Sequence, residues 1–413
     1  ASEDQTRDRG QRDAEIVDAF LTDLASGSPA IAELTRDVPL VEQVARGYGH
    51  TLGEVCRQPA AWRRLGRAVE PRGARGHAPA GGYVLTGSGS SHFLGAALAP
   101  ALQSSLGVCV RSAACGELLL APEAFIAAGQ PSTIVSFGRS GDSPESIAVV
   151  DLVLGQYPDC RHLIVTCNPD GQLATGYTTD ERVDTILLGR EVDDQSLVMT
   201  SSFTSMWLAG RGLAAWADAA AFARAAGALA DAGQMVLETR LQALAEAGRQ
   251  PFDRAVYLGS GARFGAAREA ELKMLEMCAG RVVTRAETFL GLRHGPMACL
   301  AEGRTLVVAF LSSEPRRRAY EMDLLAELRR KDLGQRFVVC GPELPSEAVS
   351  ESDLGVEYGL GTVLGDDDWP AVDVLVGQVL GFFRCLHERL RPDAPSADGV
   401  ITRVVPSFPI HPV

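Results

Sequence analysis

The chain contains the same succession of segments twice, 172 residues apart, and this limits its folds more than any other feature. YVLTGSG (83–89) precedes a helix-like SSHFLGAALAPALQSSLG, and AVYLGSG (255–261) precedes a helix-like RFGAAREAELKMLEMCAG. STIVSFGRSG (132–141) leads into PESIAVVDLVLGQ, and TLVVAFLS (305–312) leads into RRAYEMDLLAELRRK. HLIVTCN (162–168) and RFVVCG (336–341) close the series. Gly87 aligns with Gly259 and Thr133 with Thr305 at the same 172-residue shift, and the third pair falls within two residues of it. Short, apolar, β-branched runs separated by helices are the pattern of buried parallel strands. Three of them at one shift predict a duplicated α/β unit, with two parallel sheets each covered by helices. The Ala-rich stretch 217–248 bridges the units, and a helical segment (13–70) precedes them. The expected divisions are an N-terminal segment (1–45), a first unit (46–220), a second unit (221–390) and a tail (391–413).

With 413 residues, 46% of them hydrophobic, the chain holds enough apolar surface for two domains with their own cores. A net charge of −13 argues against a nucleic-acid partner, which calls for a basic field. A few local groups still suffice to hold a small anion. The nine cysteines lie mostly in apolar runs and include no CxxC pair, as in a reduced, cytoplasmic protein. No Cys/His pair has zinc-ligand spacing, so no metal is expected. No apolar run reaches the ~18 residues of a membrane span. The polar start ASEDQTRDRGQRD is not expected to be a signal peptide, and the first dozen residues are expected to be mobile.

Ligands of open α/β sheets bind beyond the carboxyl ends of the strands. Three polar turns of the first unit fall there: TGSGSSHF (86–93), SFGRSGDSPES (136–146) and DDQSLVMTSSFTS (193–205). Hydroxyls, free N–H groups and helix dipoles together suit a phosphate dianion, although Ser and Asp are also ordinary N-caps. GSGSSHF lacks the third glycine of GxGxxG, and GxxxxGK[ST] is absent, which disfavours dinucleotides and P-loop chemistry. The second unit's counterpart loop, AFLSSEPRRR, keeps two serines without the glycines, so the first unit is the better cradle. On the helix after AVYLGSG, Glu269 and Glu276 stand seven residues apart with Lys273 between them, on one face.

With these residues in view, GSGSS, GRSGDSPES, MTSSFT and EAELKMLE…RHGP resemble the sugar isomerase (SIS) domain, present twice. The order is also similar to the isomerase half of glucosamine-6-phosphate synthase. A closer likeness is to the AgaS type, the tagatose-6-phosphate ketose/aldose isomerases and galactosamine-6-phosphate deaminases, carried by HTLGEVCRQPAAW, DDQ…MTSSFT and the late TRVV over roughly 45–410. The resemblance implies two tandem SIS domains, each a flavodoxin-like three-layer sandwich. It implies a phosphate cradle at Ser90, Ser91 and the Arg139–Ser140–Gly141–Asp142–Ser143 loop, with Thr200 and Ser201 facing the sugar. It makes Glu276 the carboxylate that moves a proton between C1 and C2, with Glu269 and Lys273 orienting sugar and base. His294 becomes the ring-opening histidine, which in the family can come from a neighbouring subunit. Elementary chemistry agrees: histidine suits ring opening near neutral pH, a carboxylate shuttles the proton, and an adjacent cation stabilises developing charge.

The implied activity is isomerisation or deamination of a hexosamine 6-phosphate, galactosamine 6-phosphate giving tagatose 6-phosphate and ammonia. It needs no metal or organic cofactor, and the implied assembly is a homodimer. The chain departs from the pattern at Met297, where Lys is usual, and at Ser196, where Gly is common. It has no C-terminal lysine like that of the synthase, so Arg403 is the nearest basic group for the substrate. The synthase's glutaminase domain is not in this sequence, so glutamine-fed synthesis is not expected. A phosphosugar sensor and a fructosamine-phosphate deglycase are the rival expectations. Retention of Glu276, Lys273 and His294 favours the enzyme over the sensor.

Overall fold

The computed structural model describes residues 17–68, 81–214, 218–301, 303–359 and 364–411. The first dozen residues, expected to be mobile, lie outside this set. An N-terminal block holds α1 (17–27), α2 (Pro29–Thr35), α3 (Leu40–Arg46), α4 (Gly49–Cys56) and α5 (Gln58–Ala68). The first α/β unit follows as β1 (Tyr83–Gly87), α6 (Ser90–Leu106), β2 (Val110–Ala114), α7 (Cys115–Leu120), β3 (Thr133–Gly138), α8 (Pro144–Gln156), β4 (Arg161–Thr166), α9 (Gln172–Thr175), β5 (Val183–Leu187) and α10 (Ser201–Gly212). The long α11 (Ala219–Arg249) leads to the second unit. This runs β6 (Arg254–Gly259), α12 (Ala262–Met277), β7 (Val283–Thr288), α13 (Phe289–Leu292), β8 (Thr305–Phe310), α14 (Pro315–Arg330), β9 (Arg336–Gly341), β10 (Leu354–Glu357) and α15 (Pro370–His387).

Both sheets are parallel and five-stranded, ordered β2-β1-β3-β4-β5 and β7-β6-β8-β9-β10, the same winding twice. This is the doubly wound order whose switch point lies between the first and third strands. The duplication extends to backbone detail. Gly89 before α6 has φ 55° and ψ −123°, and Gly261 before α12 has φ 58° and ψ −130°. Glycine adopts this conformation without the steric penalty that a Cβ brings. The edge strands β2, β5, β7 and β10 went unread in the sequence. Each is partly exposed and mixes polar with apolar residues, so none forms the continuous apolar run of a central strand.

The two units do not keep separate cores, contrary to the expectation from length and composition. Leu85, Val135 and Val165 on the inner face of the first sheet join one cluster with Tyr257, Val308 and Val338 of the second. The helical layer between the sheets includes α15, whose residues from Pro370 to Cys385 are all buried. A helix apolar on every side belongs inside a protein. The outer faces have their own smaller clusters: Val84 and Ile134 with α7 and α8, and Val256 and Val307 with α13 and α14. Contact between the units is made close by Gly265 on α12, where a Cβ would stand 2.3 Å from the backbone nitrogen of Ala97 on α6. All nine cysteines are free thiols, seven of them buried, with Cys109 exposed and Cys299 partly so. No helix among the described residues is long and apolar enough to cross a membrane.

Candidate active site

The close crossing of α6 and α12 brings the first turn of one against the middle of the other. Ser90 and Ser91, buried at the start of α6, lie at the carboxyl end of β1. Lys273 Nζ donates to Ser90 Oγ at 3.0 Å. Along α12, the same ammonium lies 3.3 Å from Glu269 Oε1 and 2.5 Å from Glu276 Oε2. The spacing that put these three on one face therefore gathers them around a single cation. Lys273 and Glu269 have no exposed surface, while Glu276 keeps 22% of its side chain accessible. Of the two carboxylates, only Glu276 is accessible from outside the protein.

Burial decides the protonation of this group. It pushes Glu269 up to about 8, and Glu276 adds to the rise against the pull of Lys273. Burial alone would lower Lys273, but Glu269 and Glu276 outweigh it and raise it. Burial thus favours the protonated form of Glu269, while the carboxyl groups on either side favour the charged form of Lys273.

The β3–α8 loop stands beside β1 at the same end of the sheet. Ser140 Oγ accepts from the Asp142 N–H at 3.3 Å, and Asn168 Nδ2 donates to the Ser140 carbonyl at 3.0 Å. Ser143 is the N-cap residue of α8, yet its side chain makes no capping bond, and it is partly exposed. That leaves a hydroxyl and a helix N-terminus open to an anion.

Four other sequence-based expectations meet internal partners instead. The Arg139 guanidinium donates to the carbonyls of Ser196 at 3.2 Å, Leu197 at 3.0 Å and Arg403 at 2.5 Å. It ties loops together and is not turned to the cradle. Arg403 pairs with Asp193 at 2.6 Å and donates to the Asp194 carbonyl at 2.8 Å, a structural ion pair. Thr200 and Ser201 are fully buried. Asp194 Oδ2 accepts from the Thr200 N–H at 2.7 Å, and Oδ1 accepts from the Ser201 hydroxyl at 2.6 Å. The reason is local: the first amides of α10 need an acceptor, and a buried carboxylate needs donors. Burial opposes ionisation of Asp194, but Arg57 and the Ser201 and Ser202 hydroxyls win and hold it below the usual carboxylate range.

His294 is exposed at the turn after α13. Among the described residues no hydrogen bond or ion pair links it to Glu276, Lys273 or Glu269. Its neighbour Arg293 is engaged by Glu327 at 2.7 Å. Met297, at the position where Lys is usual, accepts a 3.6 Å contact from Lys331 Nζ.

Two residues with a part in this architecture were quoted in the sequence motifs without a role. Glu54 on α4 accepts the N–H groups of Gln195 at 2.5 Å and Ser196 at 3.1 Å, together with the Ser196 hydroxyl. Arg57 bridges Glu54 at 3.5 Å and Asp194 at 3.6 Å. The signal was HTLGEVCRQPAAW, in which Glu54 and Arg57 stand three residues apart.

No family model matches the chain. It is 35% identical over 378 residues to the D-galactosamine-6-phosphate deaminase AgaS of Escherichia coli, covering 87% of this chain and 94% of that one. A solved tagatose-6-phosphate ketose/aldose isomerase from Escherichia coli is 33% identical, with a TM-score of 0.75 over 86% of this chain and 96% of its own. A structure from Clostridium novyi NT, provisionally assigned the same isomerase activity, is 28% identical. Its TM-score is 0.83, over 90% of this chain and 97% of its own.

Proposed function

The chain belongs to the AgaS family and is a phosphosugar isomerase/deaminase, and we propose that its substrate is galactosamine 6-phosphate, converted with water into tagatose 6-phosphate and ammonia. The observation that carries this reading is the buried Lys273 with Glu269 and Glu276, joined to Ser90 of the first unit, with Glu276 alone accessible. A proton shift between adjacent carbons calls for one positioned carboxylate beside a fixed cation.

In the proposed course the phosphate rests on the hydroxyls of Ser140 and Ser143 and the N-terminus of α8, with Ser91 nearby. After ring opening, Glu276 takes the proton from C2 and returns it to C1 while a proton passes from the amine nitrogen to O1, turning the 2-amino aldehyde into a C2 imine with a C1 hydroxyl. Lys273 stabilises the negative charge that develops between the two steps. Water adds to the imine carbon and ammonia leaves, giving the ketose. Protons shift, water enters and ammonia leaves, with no change in overall oxidation state. The net reaction is isomerisation coupled to deamination and cleaves no backbone bond of the sugar.

We further propose that ring opening uses His294 of a second copy. The exposed position of His294 at the turn after α13 supports this, because it leaves the imidazole available to a neighbouring chain.

The test is ammonia release and ketose formation followed together on galactosamine 6-phosphate and glucosamine 6-phosphate. Ammonia with an equal amount of tagatose 6-phosphate, and faster turnover of the galactosamine epimer, is expected. Equal turnover of both epimers removes the substrate assignment, and binding without product removes the enzyme reading.

A further inference from the structure

Asp194 and Asp366 occupy the same position of the duplicated unit, 172 residues apart, but their carboxylates serve different loops. In the first unit Asp194 takes the N–H groups of Thr200, Ser201 and Ser202 and two hydroxyls at the start of α10. The β3–α8 loop of that unit is left open. In the second unit the counterpart of Ser201 is Asp373. It is buried and held by Arg263 at 2.8 Å and Tyr358 at 2.5 Å. A second carboxylate there would meet like charge, so Asp366 turns instead to the β8–α14 loop, the counterpart of the phosphate cradle.

There Asp366 accepts from the Ser313 N–H at 2.7 Å, the Ser312 hydroxyl at 2.8 Å, the Ser313 hydroxyl at 3.2 Å and Arg317 at 2.9 Å. Arg263, the counterpart of Ser91, is fully buried and stands 3.9 Å away. Arg317 is shared with Asp367 at 3.3 Å. A backbone amide, two hydroxyls and two guanidinium groups converging on one anion form the donor set of a phosphate site.

We propose that the second unit retains a phosphate-type oxoanion site built from Ser312, Ser313, Arg317 and Arg263, and that Asp366 fills it as a tethered anion. The duplicated fold thus carries two cradles, and the chain itself closes one of them. This restricts phosphate or phosphate-ester binding to the first unit. Because Asp366 is covalently attached, its local concentration exceeds that of any free phosphate, and no free anion displaces it.

The experiment is titration of the full-length parent and of Asp366→Ala with inorganic phosphate, read by calorimetry and by thermal unfolding. Asp366→Ala is expected to take up one more phosphate per chain than the parent. Its unfolding midpoint is expected to rise further with phosphate than the parent's. Adding Arg317→Met should abolish that gain. Asp366→Ser shortens the side chain, so that it no longer fills the cradle, and keeps a hydroxyl for the serines. It provides the same comparison if the alanine variant does not fold, again with a larger phosphate-dependent rise in midpoint than the parent. Folded variants that take up no more phosphate than the parent overturn the proposal. Any phosphate bound by the first unit is common to all the proteins, so the difference stands whether or not that unit binds phosphate.

Discussion

Lys273 of the second unit donates a 3.0 Å hydrogen bond to Ser90 of the first, across 183 residues of sequence. The bond joins Glu269, Lys273 and Glu276 of α12 to the turn that begins α6. In the proposed function, chemistry and anchoring thus come from different copies of one duplicated unit. Their mutual geometry depends on how closely α6 and α12 cross.

Gly265 should control that crossing. A leucine here drives its Cβ into the backbone of Ala97, which cannot yield as a flexible side chain would. Overpacking of this kind costs about 1–3 kcal/mol. Gly265→Leu is expected to lower stability in urea unfolding by that amount and to reduce kcat, as Ser90 and Lys273 separate. Unchanged kcat in the folded variant counts against dependence of the site on the crossing.

Glu276→Gln keeps the shape of the accessible carboxylate and removes its basicity. Turnover should fall by roughly 10²–10⁴-fold, the usual worth of a positioned acid–base group. Sugar-phosphate binding, measured by calorimetry, should persist. Turnover at the parent rate excludes Glu276 as the proton carrier.

Glu269 sets a pH dependence of stability. Folded, it keeps its proton up to about pH 8, whereas the unfolded chain releases it near the ordinary value of 4.5. The folded state therefore binds more protons between these values. The contribution is fully present below the unfolded value and is lost as pH rises through the folded one, by at most about 1.4 kcal/mol per pH unit. Glu269→Gln should flatten this decline when urea midpoints are compared between about pH 5 and about pH 8. An equal slope in parent and variant contradicts the assignment.

Glu54→Ala should unfasten the loop before α10. Burial, with Asp194 adding, pushes Glu54 up to about 7 while Arg57 pulls it down. Its removal leaves the buried donors of Gln195 and Ser196 without an acceptor and Arg57 without one of its two carboxylates. Leaving a buried donor without an acceptor costs about 1–3 kcal/mol, which a denaturation curve detects.

If His294 serves a second copy, His294→Gln and Glu276→Gln should each be inactive alone. Mixed under conditions that exchange subunits, they should regain activity, because a mixed assembly holds one intact site. Activity that stays absent in demonstrably mixed assemblies rules out the shared arrangement.

The duplication, the central strands and the α12 triad were legible in the chain because each is a short-range pattern. Buried strands are continuous apolar runs, and Glu269, Lys273 and Glu276 follow helical spacing. The edge strands escaped because half-exposed, mixed segments carry no such run. Arg139, Thr200 and Ser201 were expected at the substrate from the resemblance to the SIS family, and Arg403 as the nearest basic group of the tail. Residue type tells what a group can bind but not which partner reaches it. In the folded chain Arg139 meets the Arg403 carbonyl, Arg403 meets Asp193 and Asp194, and Asp194 claims the start of α10. The difference between Asp194 and Asp366 has the same origin. Their positions correspond in the repeat, but Ser201 and Asp373 are unlike neighbours, and charge repulsion sends the two carboxylates to different loops. Local sequence thus determined the central strands of the two sheets and the grouping of Glu269, Lys273 and Glu276 on one helix face. Which cradle stays open, and which cation meets which serine, was decided by long-range packing, where buried donors and acceptors must pair with whatever the fold brings within reach.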